Sequence, residues 1–238
     1  GNRDVQSGEE YDAHGATMPC NYDGFSSLCD ALKPSAITRL DFSDCRLDAS
    51  ATSRLADAIK FMATIARLTL SGNPISGSTK SYGRWDKFDL DLSGLISLCD
   101  ALLRLKNPIE LDVSDCGLSV NGVNEIAKAM SAGATLASLA IGSNSIGDEA
   151  MIGLLDALKD TSLISLDISN TDCGVPTVGK LAELLSGATK FGATIARLAL
   201  GSNPRIGDEA MVQLLEVVKD VSLTSLDISK TGCGVFTV

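Results

Sequence analysis

One short stretch, written seven times, constrains this chain more than any other feature. Its clearest copies are residues 163–175 (LISLDISNTDCGV) and 223–235 (LTSLDISKTGCGV). Apolar residues stand at the first, fourth and sixth positions, an Asn, Cys or Thr at the ninth, and usually another apolar residue two further on. The copies centre on Leu40, Leu68, Leu111, Leu139, Leu166, Leu198 and Leu226, at spacings of 28, 43, 28, 27, 32 and 28 residues. Five of the six spacings therefore lie between 27 and 32, the period of an array whose units bury a face only against their neighbours.

Between copies the pattern changes from alternation to helical spacing. Met151, Leu154, Leu155 and Leu158 share one face, as do Met211, Leu214, Leu215 and Val218, so each unit reads strand, turn, helix. The turn IGDEAM occurs at 146–151 and again at 206–211, and it places Asp148 and Asp208 where a helix N-cap is expected. The text SSLCDAL at 26–32 recurs as ISLCDAL at 96–102, which makes the first a leading helix that caps the array. A strand on one side and a wider helix on the other stack into an arc.

These residues, LxxLxLxx(N/C/T)x(L/I/C) followed by GDEAM-type helices, resemble the ribonuclease-inhibitor-like class of leucine-rich repeats. The resemblance covers 21–238 and implies an α/β fold: a curved solenoid with a parallel β-sheet on its concave face and helices on its convex face. It also implies protein–protein recognition by the concave face and rims. Copies one, three, five and seven share LD(F/V/I)S, while two, four and six share L(T/A)(L/I) followed by (SG/GS)N, an alternation that resembles the paired repeats of ribonuclease inhibitor. Residues 61–70 (FMATIARLTL) and 191–200 (FGATIARLAL) are nearly the same, which points to internal duplication.

A formal charge of -10 opposes binding to nucleic acid or an anionic membrane and is easier to reconcile with a basic partner. Seven cysteines, an odd number, fall largely at repeat-defined interior positions, so they read as free thiols in a reducing compartment. No apolar run approaches the roughly 20 residues of a membrane span, and the polar start is unlike a signal peptide. A cytosolic location is expected. Residues 1–20, with His14, read as a mobile polar tail ahead of a single seven-stranded solenoid over 21–238.

The chemistry-bearing patterns are weak. Cys45, Asn73, Cys116, Asn144, Thr171, Asn203 and Thr231 at the ninth position form a structural ladder serving loop backbone groups, and Cys173 and Cys233 read as small core residues. The stretch 174–181 (GVPTVGKL) nearly fits a phosphate loop, but Leu181 replaces the metal-binding hydroxyl. The string GNPISGSTK at 72–80 has its Lys in the wrong order. No CxxC or grouped His supports a metal or a nucleophile, so no enzyme activity, cofactor or metal is expected.

Alternation along each strand sends the third, fifth and seventh positions to the concave face. The fifth reads Asp41, Thr69, Asp112, Ala140, Asp167, Ala199, Asp227, with carboxylates on every second strand about 10 Å apart. The third supplies Arg39, Arg67 and Arg197 with Glu110 and three serines, and the seventh only Ser or Gly. Two readings stand: the Asp residues are solvated and paired with Arg on neighbouring strands, or they receive a basic or extended protein partner. The long gap after Leu68 forms an insertion near 74–94 with Tyr82, Trp85 and Phe88 beside Lys80, Arg84 and Lys87, either a second contact site or a cover on neighbouring helices. The leading function is a non-catalytic protein–protein interaction module or scaffold. The alternatives are a GTPase-regulating protein like the leucine-rich activators of Ran, which share this repeat class, and a segment of a longer structural array. At the last copy Phe236 is expected to fold over the core, with the remaining strand edge open to self-association.

Overall fold

The computed structural model describes residues 22–234 and, ahead of them, the backbone of two short antiparallel strands, β1 (Asn2–Arg3) and β2 (Glu10–Tyr11). His14, Cys20 and Phe236, on which the tail and end-cover expectations rest, lie outside the described residues. The array opens with α1 (Asp23–Leu32), which buries Cys29 and Leu32 and sets Phe25 edge-on against Phe42 with ring centres 5.9 Å apart. The first two repeats follow as β3 (Arg39–Asp41) with α2 (Ala49–Ile59), then β4 (Arg67–Thr69). A small antiparallel hairpin, β5 (Thr79–Ser81) and β6 (Arg84–Lys87), precedes α3 (Ser93–Leu102). Beyond it run β7 (Ile109–Asp112), α4 (Val120–Ser131), β8 (Leu136–Ala140), α5 (Gly147–Leu158), β9 (Ser165–Asp167) and α6 (Val175–Ser186). The short α7 (Lys190–Thr194), β10 (Arg197–Ala199), α8 (Gly207–Val218) and β11 (Ser225–Asp227) complete it.

Seven strands form one parallel sheet in the order β11-β10-β9-β8-β7-β4-β3. Every repeat centre pairs with the next, Leu40 with Leu68, Leu68 with Leu111, and so on to Leu198 with Leu226. Because β4 pairs directly with β7, the insertion leaves the sheet without breaking its ladder. The strands are short, but the ladder continues into the turns through Asp44 N to Ser71 O (2.9 Å), Asp115 N to Gly142 O (2.9 Å) and Ser202 N to Ser229 O (2.7 Å). At this eighth position the backbone turns left-handed, at Asp44, Gly72, Asp115, Ser143, Asn170, Ser202 and Lys230. Short polar side chains or Gly tolerate that geometry best, and six of the seven are Asp, Asn, Ser or Gly in odd and even repeats alike.

The core is aliphatic and continuous, with Leu68, Leu139, Ile168 and Leu200 fully buried. The ninth-position ladder explains why repeats come in pairs. Asn144 accepts at Oδ1 from the N–H groups of Cys116 (3.1 Å) and Leu118 (2.9 Å) and donates from Nδ2 to the carbonyls of Val113 and Ile141 (2.9 Å each). Asn203 does the same for Thr171, Cys173, Ile168 and Leu200. Asn73 serves Leu47, Phe42 and Leu70. Each even repeat's Asn thus satisfies the turn of the odd repeat before it, and the odd repeats need only a Cys or Thr there. Burial pushes the thiols of Cys99 and Cys116 up to about 12, which suits inert core groups; Cys45, by contrast, is exposed.

The N-cap expectation for Asp148 and Asp208 is corrected. Gly147 and Gly207 take φ of +74° and +71°, so α5 and α8 begin at the glycine and the N-cap positions fall on Ile146 and Ile206. The carboxylates reach instead into the next repeat. Asp148 accepts from Gly174 N (2.7 Å) and Thr177 Oγ1 (2.7 Å) at the start of α6, and Asp208 accepts from Gly234 N (2.7 Å). The start of α6 is therefore capped from the preceding unit, with an anion favoured there by the helix dipole. The same carboxylate fills the place where a phosphate would sit in the 174–181 stretch. Lys180 is already engaged with Asp156 (2.8 Å) and Glu183 (2.9 Å) within the helical layer. At the far end, Leu226 and Ile228 are only half-buried, while their counterparts Leu166 and Ile168 are fully buried between neighbouring repeats.

Candidate functional site: the concave face and its rim hairpin

The concave row is organised by one local device. Asp112 Oδ1 accepts from Ser114 N (3.0 Å), Asp167 Oδ1 from Ser169 N (2.9 Å) and Asp227 Oδ1 from Ser229 N (2.9 Å). Asp41 Oδ1 accepts from both Ser43 Oγ (2.6 Å) and Ser43 N (2.9 Å). In each case the carboxylate closes a turn over the strand end and is thereby held in one orientation, with its second oxygen outside that bond. The Ser43 hydroxyl, then its backbone N–H, holds the Asp41 carboxyl below its ordinary range; the Ser229 backbone N–H, then its hydroxyl, does the same for Asp227.

The even repeats make room for this row. A Cβ on Gly201 would stand 2.9 Å from Ser229 Oγ and 3.0 Å from Asp227 Oδ2, and one on Gly142 would stand 3.0 Å from Ser169 O. With Ala140 and Ala199, these glycines place small residues at the fifth and seventh positions between Asp112, Asp167 and Asp227, while Arg197 stands at the third position of the second of these strands. The expected pairing of Asp with Arg on neighbouring strands takes a different form. Arg67 bridges Glu110 at 3.4 Å and lies close enough to Asp41 to lower its pKa further, while no ion pair joins Asp112, Asp167 or Asp227 to an arginine among the described residues. Arg39 and Arg197 are exposed.

The insertion carries a hairpin seated on the turn of the third repeat. Trp85 Nε1 donates to Asp115 Oδ1 (2.7 Å), and Lys80 Nζ reaches Asp115 Oδ2 (3.1 Å) while standing 4.2 Å over the Trp85 ring. The ring lies against Gly117, where a Cβ would be 2.7 Å from Trp85 Cε3. Beneath it, Ser78 Oγ donates to Gly117 O (2.7 Å) and accepts from Asp89 N (2.9 Å). Asp89 Oδ2 then caps α4, accepting from Ser119 N (3.0 Å), Ser119 Oγ (2.6 Å) and Gly122 N (2.8 Å). The insertion supplies for α4 the cap that Asp148 supplies for α6.

At the tip, Tyr82 and Gly83 both take left-handed φ, 49° and 77°, forming a two-residue turn that presents Tyr82 at 92% exposure. Arg84 is also exposed, whereas Trp85 and Phe88 are half-buried. The predicted insertion residues therefore divide into a base and a tip. Asp115 follows Asp112 by three residues, about 10 Å of chain at most, so the hairpin stands on the rim of the concave face. The sequence reading missed Asp115 and Asp89, whose roles depend on partners 30 to 35 residues away. Among the described residues no group of His, Cys, Asp and Glu could hold a metal, and no helix is long and apolar enough to cross a membrane.

No protein-family model matches the chain. Mouse ribonuclease inhibitor is 24% identical over 221 residues, which cover 89% of this chain and 44% of that protein. The mouse NACHT, LRR and PYD domains-containing protein 14 is likewise 24% identical over 221 residues, covering 89% of this chain and 20% of its own length. The chain thus spans less than half the length of these relatives. Among solved structures, leiomodin-1 actin-binding site 2 aligns with a TM-score of 0.47 at 14% identity over 85% of this chain and 90% of that one, a likeness too loose to bear on function. With seven repeat centres in one parallel register, paired odd and even turns, and relatives of this kind along most of its length, the chain is built as a leucine-rich-repeat solenoid and is similar to proteins of the ribonuclease-inhibitor-like class.

Proposed function

We propose that this chain is a non-catalytic protein-interaction module that receives a basic, extended segment of a partner protein across its concave face, with the hairpin tip as a second contact at the rim. The observation that carries this reading is the alternation of oriented carboxylates with Ala and Gly strands. Asp112, Asp167 and Asp227 are each held by a Ser N–H, and none is neutralised by an arginine among the described residues. A row of this kind attracts cations spaced about 10 Å apart and offers the intervening backbone a small-residue floor. The exposed Tyr82 and Arg84 add the side-chain types that dominate binding hot spots. A relative named as an inhibitor of ribonuclease, acting by its name on another protein, supports the general class.

The test uses Asp112→Asn, Asp167→Asn and Asp227→Asn together, because Asn keeps the acceptor for the Ser N–H while removing the charge. Affinity for an arginine-rich peptide is expected to fall about tenfold or more, with the thermal midpoint little changed. Equal affinity for the triple variant and the native chain would exclude the concave row. Tyr82→Ala leaves peptide affinity unchanged in this reading and weakens only a folded partner broad enough to touch the rim.

A further inference from the structure

The concave face is not acidic throughout, and its first two strands break the pattern. Arg39 and Arg67 are register partners on neighbouring parallel strands, both exposed, with backbones about 4.8 Å apart. Like charges placed directly opposite one another are unfavourable in a sheet. Arg67 is partly compensated by Glu110 at 3.4 Å and by its proximity to Asp41, but Arg39 has no hydrogen bond or ion pair to a described residue. The one carboxylate on this strand, Asp41, is bound to Ser43 through both the hydroxyl and the N–H and is flanked by Arg67. Each guanidinium carries five N–H donors, so most of the donors of this pair are unspent. Strand one thus carries a cation unpaired among the described residues beside its bound aspartate, where strands five and seven carry the aspartate beside a serine.

Resting on the reading of the concave face as a receptor for an extended basic segment, we propose that the Arg39–Arg67 pair receives a carboxylate side chain of that same segment and so sets its register. The spacing defines the partner's sequence. Arg39 stands two strands from Asp112, four from Asp167 and six from Asp227, about 9.6, 19 and 29 Å along a flat sheet, with concave curvature shortening each. A polyproline II segment rises 3.1 Å per residue and returns to the same face every third residue, about 9.3 Å. One acidic residue followed by basic residues three, six and nine positions later therefore presents each charge to its opposite. The two-residue offset between Arg39 and the aspartate row, about 6.6 Å along the strand, is within the reach of an arginine side chain.

The experiment compares two synthetic peptides, Glu-Pro-Pro-Arg-Pro-Pro-Arg-Pro-Pro-Arg and the same peptide with Gln in place of Glu, by calorimetry on the full chain. The native chain is expected to prefer the Glu peptide by about fivefold, and Arg39→Gln to abolish that preference while binding the Gln peptide as the native chain does or more tightly. Equal affinity of the native chain for both peptides, or a preference that survives in Arg39→Gln with Arg67→Gln, overturns the proposal. If both peptides bind equally and lose affinity with Asp167→Asn and Asp227→Asn, the concave reading stands and only the arginine register fails. If neither peptide binds, the concave reading fails first and takes the register with it.

Discussion

Residues 61–70 and 191–200 are almost the same words, FMATIARLTL and FGATIARLAL, and they fold alike only from their fourth residue onward. Thr64 Oγ1 donates to Ile37 O (3.0 Å) and Thr194 Oγ1 to Leu163 O (2.9 Å), the first-position carbonyls of their preceding repeats. Arg67 N and Arg197 N reach the carbonyls of Thr38 and Ile164, each at 3.0 Å. The first residues part company: Phe61 is 67% exposed beside Lys33, while Phe191 is fully buried. The cause lies upstream. The second copy follows a 32-residue spacing where the first follows 28, and the added residues let Thr189 cap the short α7 through Gly192 N (2.9 Å). That helix is fastened to the previous repeat by Phe191 N to Lys159 O (3.0 Å), which turns the ring inward. Position 192 must then be Gly, since a Cβ would meet Leu184 O at 2.6 Å; in the first copy Met62 occupies this place and is buried at 2% exposure. Met is the buried residue in one copy and the preceding Phe in the other, and the change accompanies the longer loop.

The largest effect that sharpens this contrast is expected from Phe191→Ala, which empties a fully buried ring site and should cost about 4 kcal/mol in chemical denaturation. A loss below about 1 kcal/mol would mean that the ring is not the plug of that repeat. Next come Asn73→Ala and Asn203→Ala, which occupy the same ladder position ahead of and behind the divergence; each strands several buried backbone groups and is expected to cost about 3 kcal/mol. Unequal losses would show that the longer connection disturbs the ladder as well as the plug. Gly192→Ala should cost about 2 kcal/mol through its clash with Leu184 O, and the matching Met62→Ala should also destabilise, but by opening a cavity and not by crowding. The smallest effect belongs to Phe61→Ala, within about 0.5 kcal/mol, because that ring is mostly in water already. A loss there approaching that of Phe191→Ala would break the comparison.

The sequence by itself determined the period, the strand centres, the helical faces, the paired odd and even turns and the placement of the Asp row. Each of these depends on a residue meeting its own counterpart one repeat away, so the same requirement is printed seven times and can be read without coordinates. The asparagine ladder belongs here too, since Asn73, Asn144 and Asn203 each meet the turn of the preceding repeat, in these bonds 26, 28 and 32 residues away. What only the tertiary structure decided are contacts that occur once or change with loop length. Asp148 looked like a cap for its own helix, but a left-handed Gly147 moved the helix start and handed the carboxylate to α6. Asp89 leaves the insertion to cap α4, and Trp85 with Lys80 converges on Asp115, pairs that no period announces. Phe61 and Phe191 have nearly identical local sequences and opposite burial, because whether a ring reaches the core depends on the length and anchoring of the chain that delivers it.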